Sequence, residues 1–434
     1  MKHLLWLPFL VLLMPAPSPA QSAKEVEKQV EALIEQGNHR EAADLGKKAV
    51  LPADGTADLL GLTVQALGHL SAFQEQEEVI EAAVTAHPRK WDMLLRAGNS
   101  YAGLPHGGMV VDGKFQRGQP QWRHGGGGAY VETHLRDRVR TLQLYEAAWK
   151  ALPEDTGIAA KAAVLVSMSG ALGENRYGSR QAWALQHLTD LSTLPDYDAQ
   201  SGLDGPTGGY PVDAEGNPIF FETADSWDSA KSDGGRLLWT IRELGKLSPA
   251  NAVAARSERA GLAKLWFSVR TLAGFGFRFD PDGDEDEAGR RDGIAALHTL
   301  KDDETVVKLA TGPKRLTLPP DWAFLNLYRT LAEDSDVSAQ IRLEAWREIA
   351  QELTDRRQYP RAAEALRQAI ALEVRRDDKK ALQQQLDQII GHQGSFDPQE
   401  PQAAPSSGRR EPSVAPRPES GQPPAKEDSR LPLQ

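Results

Sequence analysis

The residues best placed by type and spacing to do chemistry are the carboxylates of Asp280-Pro281-Asp282-Gly283-Asp284-Glu285-Asp286-Glu287. Hard cations take several oxygen ligands, and aspartates at alternate positions open a calcium loop of the EF-hand type. Counted from Asp280, the sixth position is Glu285, where such a loop needs glycine, and the twelfth is Arg291, where it needs a bidentate glutamate. The run therefore reads as a solvated acidic linker, and no metal is expected. The second candidate is Gly125-Gly126-Gly127-Gly128 ahead of a predicted helix, where free amides and the helix dipole could receive a phosphate. No Lys-Ser or Lys-Thr follows, as a P-loop requires. Glu132 in the first turn would satisfy the dipole itself and repel a phosphate. A glycine-rich loop is the expectation, and no cofactor.

Nucleophilic and zinc chemistry find no footing. There is no G-x-S-x-G elbow, no S-x-x-K and no H-E-x-x-H. The ten histidines are scattered, none paired with another at i, i+4. Asp302-Asp303-Glu304 reads as a helix N-terminus, with its carboxylates near the positive end of the dipole. A glycosidase assembled from scattered carboxylates stays open as the alternative, because helical scaffolds can carry such pairs. The tryptophans at 91, 149, 183, 227, 239, 266, 322 and 346 fall mostly in predicted helices and read as core or groove residues.

The remaining chemistry is recognition. Residues 103–130 interrupt a predicted helical hairpin with a long loop, and loops of that length within compact units are usually functional or without fixed structure. Lys114, Arg117 and Arg123 against Asp112 make it locally basic on a chain of net charge -11. Phe115, Trp122 and Tyr130 add aromatic surface of the kind that forms binding hot spots. These residues, Lys114, Phe115, Arg117, Trp122, Arg123 and Tyr130, are the candidate partner-binding set. The competing reading is that the aromatics dock the loop onto the helices beneath it.

What must position such a loop is helical. Gly37 to Val50 reads as the second helix of a tetratricopeptide-like pair, and the pattern returns 34 residues later at Ser71 to Val84, with Phe73 for His39, Glu75 for Glu41 and Ala83 for Ala49. The preceding helix repeats with the same offset, Val26, Val30 and Leu33 becoming Leu60, Val64 and Leu67. A third copy runs from Arg357-Gln358-Tyr359-Pro360 to Ala369-Ile370. A period of about 34 residues with small residues at fixed helical positions signals stacked helix pairs, which bury their apolar faces only against neighbours. With 434 residues, 40% hydrophobic and 26% charged, the chain can build one such body.

The N-terminus reads as an export signal. Lys2 and His3 precede an apolar stretch from Leu4 to Met14, and Ser18-Pro19-Ala20 supplies a small-x-small cleavage site with Gln21 as the expected first mature residue. The chain has no cysteine, which removes lipoprotein attachment, disulfides and thiolate chemistry. No apolar run reaches membrane-spanning length, and the negative net charge argues against an unassisted nucleic-acid binder.

The predicted order is a signal peptide at 1–20, tetratricopeptide-like repeats at 21–102, the Gly-rich insertion at 103–130 and further helical repeats at 131–274. Within the last, Tyr210-Pro211-Val212 and Ile219-Phe220-Phe221 suggest a β-hairpin near 208–222. An acidic linker at 280–292, C-terminal helical repeats at 293–392 and a Pro-rich tail at 393–434 follow. The tail has too few large apolar residues to offset ordering entropy and is expected to be disordered.

Several blocks carry a more specific likeness. Val111-Asp112-Gly113-Lys114-Phe115-Gln116-Arg117, Arg136-Asp137-Arg138-Val139-Arg140-Thr141-Leu142, Ser226-Trp227-Asp228-Ser229-Ala230-Lys231-Ser232-Asp233-Gly234 and His298-Thr299-Leu300-Lys301-Asp302-Asp303-Glu304-Thr305 resemble the helical N-terminal region of planctomycete-type alpha-2-macroglobulin-like proteins. The likeness spans roughly residues 90 to 397. It implies a tetratricopeptide-like scaffold that, in that family, leads into macroglobulin β-domains, often with a Cys-containing thioester that traps peptidases. Here the pattern ends after Phe396, and without cysteine no thioester can form. The expectation is an all-α solenoid, exported to periplasm or medium, binding a protein or peptide partner and a companion of macroglobulin-like proteins. The alternatives are a hydrolase on a helical scaffold and a truncated or split macroglobulin-family product.

Overall fold

The computed structural model describes residues 22–118, 128–173, 182–197, 209–275 and 296–395. The expected signal peptide, the acidic linker, Trp122 and Arg123 lie outside them, as does the tail expected at 393–434 except for residues 393–395, which are helical. The described chain is mostly helical, with two small β-sheets.

Five helices open the fold: α1 (Ala23–Glu35), α2 (His39–Ala49), α3 (Ala57–His69), α4 (Phe73–Ala86) and α5 (Trp91–Ala102). Each packs on the next, and α3 also lies against both α1 and α5. Small residues allow the close approaches. A Cβ on Gly46 of α2 would fall 2.1 Å from Thr63 Oγ1, and one on Gly98 of α5 would fall 2.4 Å from the Tyr145 ring. The link between α1 and α2 is closed by Gly37 at φ 80°, with Asn38 N–H donating to Leu33 O. Ser71 after α3 takes φ 53° with the same pattern, Ala72 N–H donating to Leu67 O. Left-handed backbone at a non-glycine residue is uncommon, so the repetition of this turn 34 residues apart reflects helix geometry rather than residue preference.

After α5 the chain forms β1 (Gly107–Val111), β2 (Lys114–Arg117) and β3 (Ala129–Glu132), an antiparallel sheet ordered β2-β1-β3. Asp112 and Gly113, both at positive φ, make the two-residue turn between β1 and β2 that such a hairpin requires. Then follow α6 (His134–Ala151), α7 (Ile158–Gly173), the single turn α8 (Ala182–Leu185), α9 (Asp233–Lys246) and α10 (Pro249–Phe267). A 3-10 turn at Val269–Phe275 leads toward β4 (Glu304–Leu309) and β5 (Gly312–Thr317), which pair antiparallel. The helices α11 (Phe324–Glu333), α12 (Ala339–Asp355), α13 (Tyr359–Leu372) and α14 (Arg376–Ser395) complete the described chain. Arg357, at φ 60° between α12 and α13, repeats the turn of Gly37, with Gln358 N–H donating to Leu353 O. One apolar core runs through the whole body, with a satellite of Val269, Leu272, Leu297, Leu300 and Val306 beneath β4.

Four expectations need correcting. The body is not all-α, because the 103–130 insertion contains most of a sheet. Asp302-Asp303-Glu304 starts no helix but leads into β4, where Thr305, Val306 and Val307 are β-branched and fully buried. The hairpin near 208–222 is shorter than expected, with Val212 bridging Pro218, Asp213 N–H donating to Asn217 O and Ile219 N–H to Pro211 O, and with the Asp213 carboxylate accepting from the amides of Glu215 and Asn217 in its turn. Tyr210 instead pairs with Leu309, extending the edge of β4. Within the helical repeats expected at 131–274, the segment from Ser226 is not helical until Asp233. Ser226 and Ser229 bond each other's backbone in a turn, and Ser232 caps the helix by accepting from Gly235 N–H.

Candidate partner-binding site

Strand alternation divides the candidate residues of the insertion between two faces. The register places Met109, Gln116 and Tyr130 in one row and Val111 opposite Lys114, so these five share a face. Gly108, Val110, Phe115, Arg117, Ala129 and Val131 share the other. The second face docks onto the helices, while the first looks outward.

Arg117 fastens the docked face. Its guanidinium is wholly buried, donating from Nε to Glu77 Oε2 of α4 at 2.8 Å. It also grips Asp137 of α6 bidentately, at 2.7 Å and 2.8 Å. Pro105 O takes a further bond from it, and Asp137 also accepts from Thr133 Oγ1 at 2.6 Å. The Asp137 carboxylate lies 3.0 Å from His106 Nδ1. Glu77 in turn receives the hydroxyls of Tyr101 (2.8 Å) and Tyr197 (3.1 Å). Beside this network Phe115 stacks on Tyr197 at 4.0 Å and 15°, and Arg136 covers the other side of Tyr197 at 4.0 Å. Gly108 makes room, since a Cβ there would fall 2.7 Å from the Phe115 ring.

The electrostatics follow from this packing. Burial alone would raise the Asp137 pKa, but hydrogen bonds from His106 and Arg117, with the Arg117 charge, outweigh it and hold the carboxyl below the ordinary aspartate range. Burial likewise opposes the Arg117 charge, yet Asp137 and Glu77 raise its pKa above the usual value. Tyr101 is pushed upward by burial first and by the Glu77 and Glu81 charges second, so it stays a donor. A carboxylate whose folded pKa is depressed contributes stability that is present above its unfolded pKa, about 4 for aspartate. That contribution is lost as pH falls through the lower folded value. Acid titration of thermal stability is therefore expected to steepen below about pH 4, and Asp137→Asn should flatten that limb. An unchanged acid limb in the variant would show that Asp137 does not carry it.

The placement of the candidate residues is thus mixed. Phe115 and Arg117 are docking residues, and Arg117 is not available to a partner. Lys114 and Tyr130 stand on the outward face, with Tyr130 53% exposed. The Tyr130 ring lies across Gly107, where a Cβ would fall 2.2 Å from its hydroxyl. Trp122 and Arg123 are in the segment outside the described residues. The sequence reading missed Met109, Val111 and Gln116, which alternation in a recognised strand would have found. It also missed the buried acids Glu77 and Asp137. Both are locked by Arg117, so they form no free acid/base pair. Among the described residues no group of three or more His, Asp or Glu side chains could hold a metal ion.

No protein-family model matches this sequence, and a search of the curated proteins finds no match. No helix among the described residues is long and apolar enough to cross a membrane.

Proposed function

We propose that this chain is an exported helical-repeat scaffold that binds a protein or peptide partner through the outward face of the β1–β3 sheet. The observation that carries the reading is the division of the insertion. Phe115 and Arg117 anchor it, leaving Tyr130 and Lys114 exposed on the opposite face beside Met109 and Val111. A rigidly held face with an exposed aromatic and an apolar neighbour suits a binding hot spot, because little ordering entropy remains to be lost on association. The repeat reading draws support from the shared turn geometry at Gly37, Ser71 and Arg357 and from the contact of α3 with α1 and α5. Export rests on the Leu4–Met14 stretch and the Ser18-Pro19-Ala20 site. A companion role beside macroglobulin-like proteins rests on the sequence resemblance alone.

The test is capture from envelope extract by the immobilised protein, compared with a Lys114→Glu, Tyr130→Ala variant. The expected result is loss of capture with the melting temperature unchanged, since both side chains stand off the core. Capture that survives the substitutions, or that falls only in step with melting, rules this face out as the site.

A further inference from the structure

A second concave feature of the fold lies beside the start of α9. A cavity of about 410 Å³ opens there, of the size that small-ligand and peptide side-chain sites occupy. Phe220 and Phe221 line it together with Glu222, Thr223, Asp225 and Lys231. The two rings are fixed in place. Phe221 lies on Gly234, where a Cβ would fall 2.4 Å from the ring, and Phe220 touches Phe267 and Trp322 at centroid distances of 5.4 Å and 6.3 Å. The start of α9 is fixed too, because Asp233 is held by Arg138 at 2.8 Å and by Thr189 N–H at 3.0 Å.

From Phe220 to Thr223 no amide donates and no carbonyl accepts a hydrogen bond among the described residues. Phe221 is only 5% exposed, and Glu222 and Thr223 after it are exposed. In an extended segment alternate residues present their N–H and C=O groups to one edge, so the unpaired main chain of Phe220–Thr223 can offer alternate donors and acceptors to an added strand, where main-chain bonds supply affinity and side-chain contacts supply choice. The rim supplies the choice. Glu222 and Asp225 make no side-chain hydrogen bond or ion pair among the described residues, against the single ammonium of Lys231.

We infer that Phe220–Thr223 receives an extended peptide segment whose basic side chain is held by Glu222 and Asp225. The inference deepens the partner-binding reading at a site independent of Tyr130, and the two are scored separately.

Fluorescence anisotropy with the full chain and labelled acetyl-Val-Arg-Val-Arg-Val-amide tests it. Glutamate in place of both arginines is expected to weaken binding at least about tenfold, the scale of a lost charge-assisted hydrogen bond. N-methylation of alternate peptide nitrogens should weaken it by about tenfold through lost main-chain donors. Glu222→Gln with Asp225→Asn should remove the preference for arginine over glutamate while the melting temperature holds, both side chains being exposed. No saturable binding at millimolar peptide overturns the inference, as does equal binding of the acidic peptide, or indifference to N-methylation or to the double substitution. In any of these cases, capture that depends on Tyr130 leaves the sheet-face reading standing.

Discussion

Arg117→Ala is expected to destabilise the protein by about 3–5 kcal/mol, the range found when one member of a buried ion pair is removed and its partner is left charged. The size follows from what remains. Asp137 is fully buried and would lose both guanidinium bonds, and Glu77 would lose its only cationic partner among the described residues. Neither carboxylate can reach water without opening the contact between the sheet and the helices α4 and α6. The variant should therefore show a lower urea midpoint, and hydrogen exchange in β1 and β2 should rise before that of α1–α3. The ion pairs themselves need not be net stabilising, because the desolvation of three charges offsets much of their attraction. That separates two outcomes. Arg117→Met combined with Glu77→Gln and Asp137→Asn removes every charge of the network and should recover most of the loss. If Arg117→Ala costs under about 1 kcal/mol, the value of an exposed pair, the latch does not hold the sheet.

The helices were legible because their signals are local. Apolar spacing through Val26, Val30, Leu60, Leu67, Ile80 and Ala83 marks faces that are buried in the structure, and Ser, Gly and Pro marked many ends. The sheet at 107–132 was not read, since its glycines and its long β2–β3 connection suggest a loop, although Asp112-Gly113 is itself a two-residue hairpin signal and only β3 pairs from a distance in sequence. Arg117 was misread for a related reason. A basic residue in a glycine-rich segment looks like exposed charge, and only its partners 40 and 20 residues away bury it. A signal for those partners was nevertheless present. Asp137 falls in line with Thr141, Tyr145 and Ala148 on the buried face of α6, and Glu77 stands beside Ile80 on that of α4. An acid on an apolar stripe requires a buried cation, and Arg117 lies in the only insertion between them. The β4–β5 hairpin was overlooked because Asp302-Asp303-Glu304 satisfies the rule for helix starts as well as it satisfies a strand entry, and the β-branched run after it should have decided between them.

That second sheet has its own polar clamp, and Glu352→Ala is expected to release it. Glu352 of α12 is fully buried and accepts from Ser268 Oγ at 2.6 Å and from Arg356 Nε at 2.9 Å. Arg356, also fully buried, donates onward to Lys301 O at 3.0 Å, while Gln358 bonds the carbonyls of His298 and Leu300. The strap from 296 to 301, which leads into β4, is thus tied beyond the end of α12 by Gln358 and, through Arg356, by the Glu352 carboxylate. Removing Glu352 leaves the Arg356 guanidinium buried against Phe324 with no carboxylate bonded to it among the described residues. A loss of about 3–5 kcal/mol is expected on the same ground as for Arg117, and Glu352→Gln, which keeps an acceptor but not the charge, should lose less than the alanine variant. A further readout separates the clamp from simple cavity formation. The Asp355 pKa is raised, by burial first and in part by the Glu352 charge, against the lowering effect of Arg270. Both substitutions at Glu352 should therefore move the Asp355 titration downward, measurable by NMR of the side-chain carboxyl. A destabilised Glu352→Ala with an unmoved Asp355 would mean that the loss comes from packing and that this carboxylate adds no tie beyond that of Gln358.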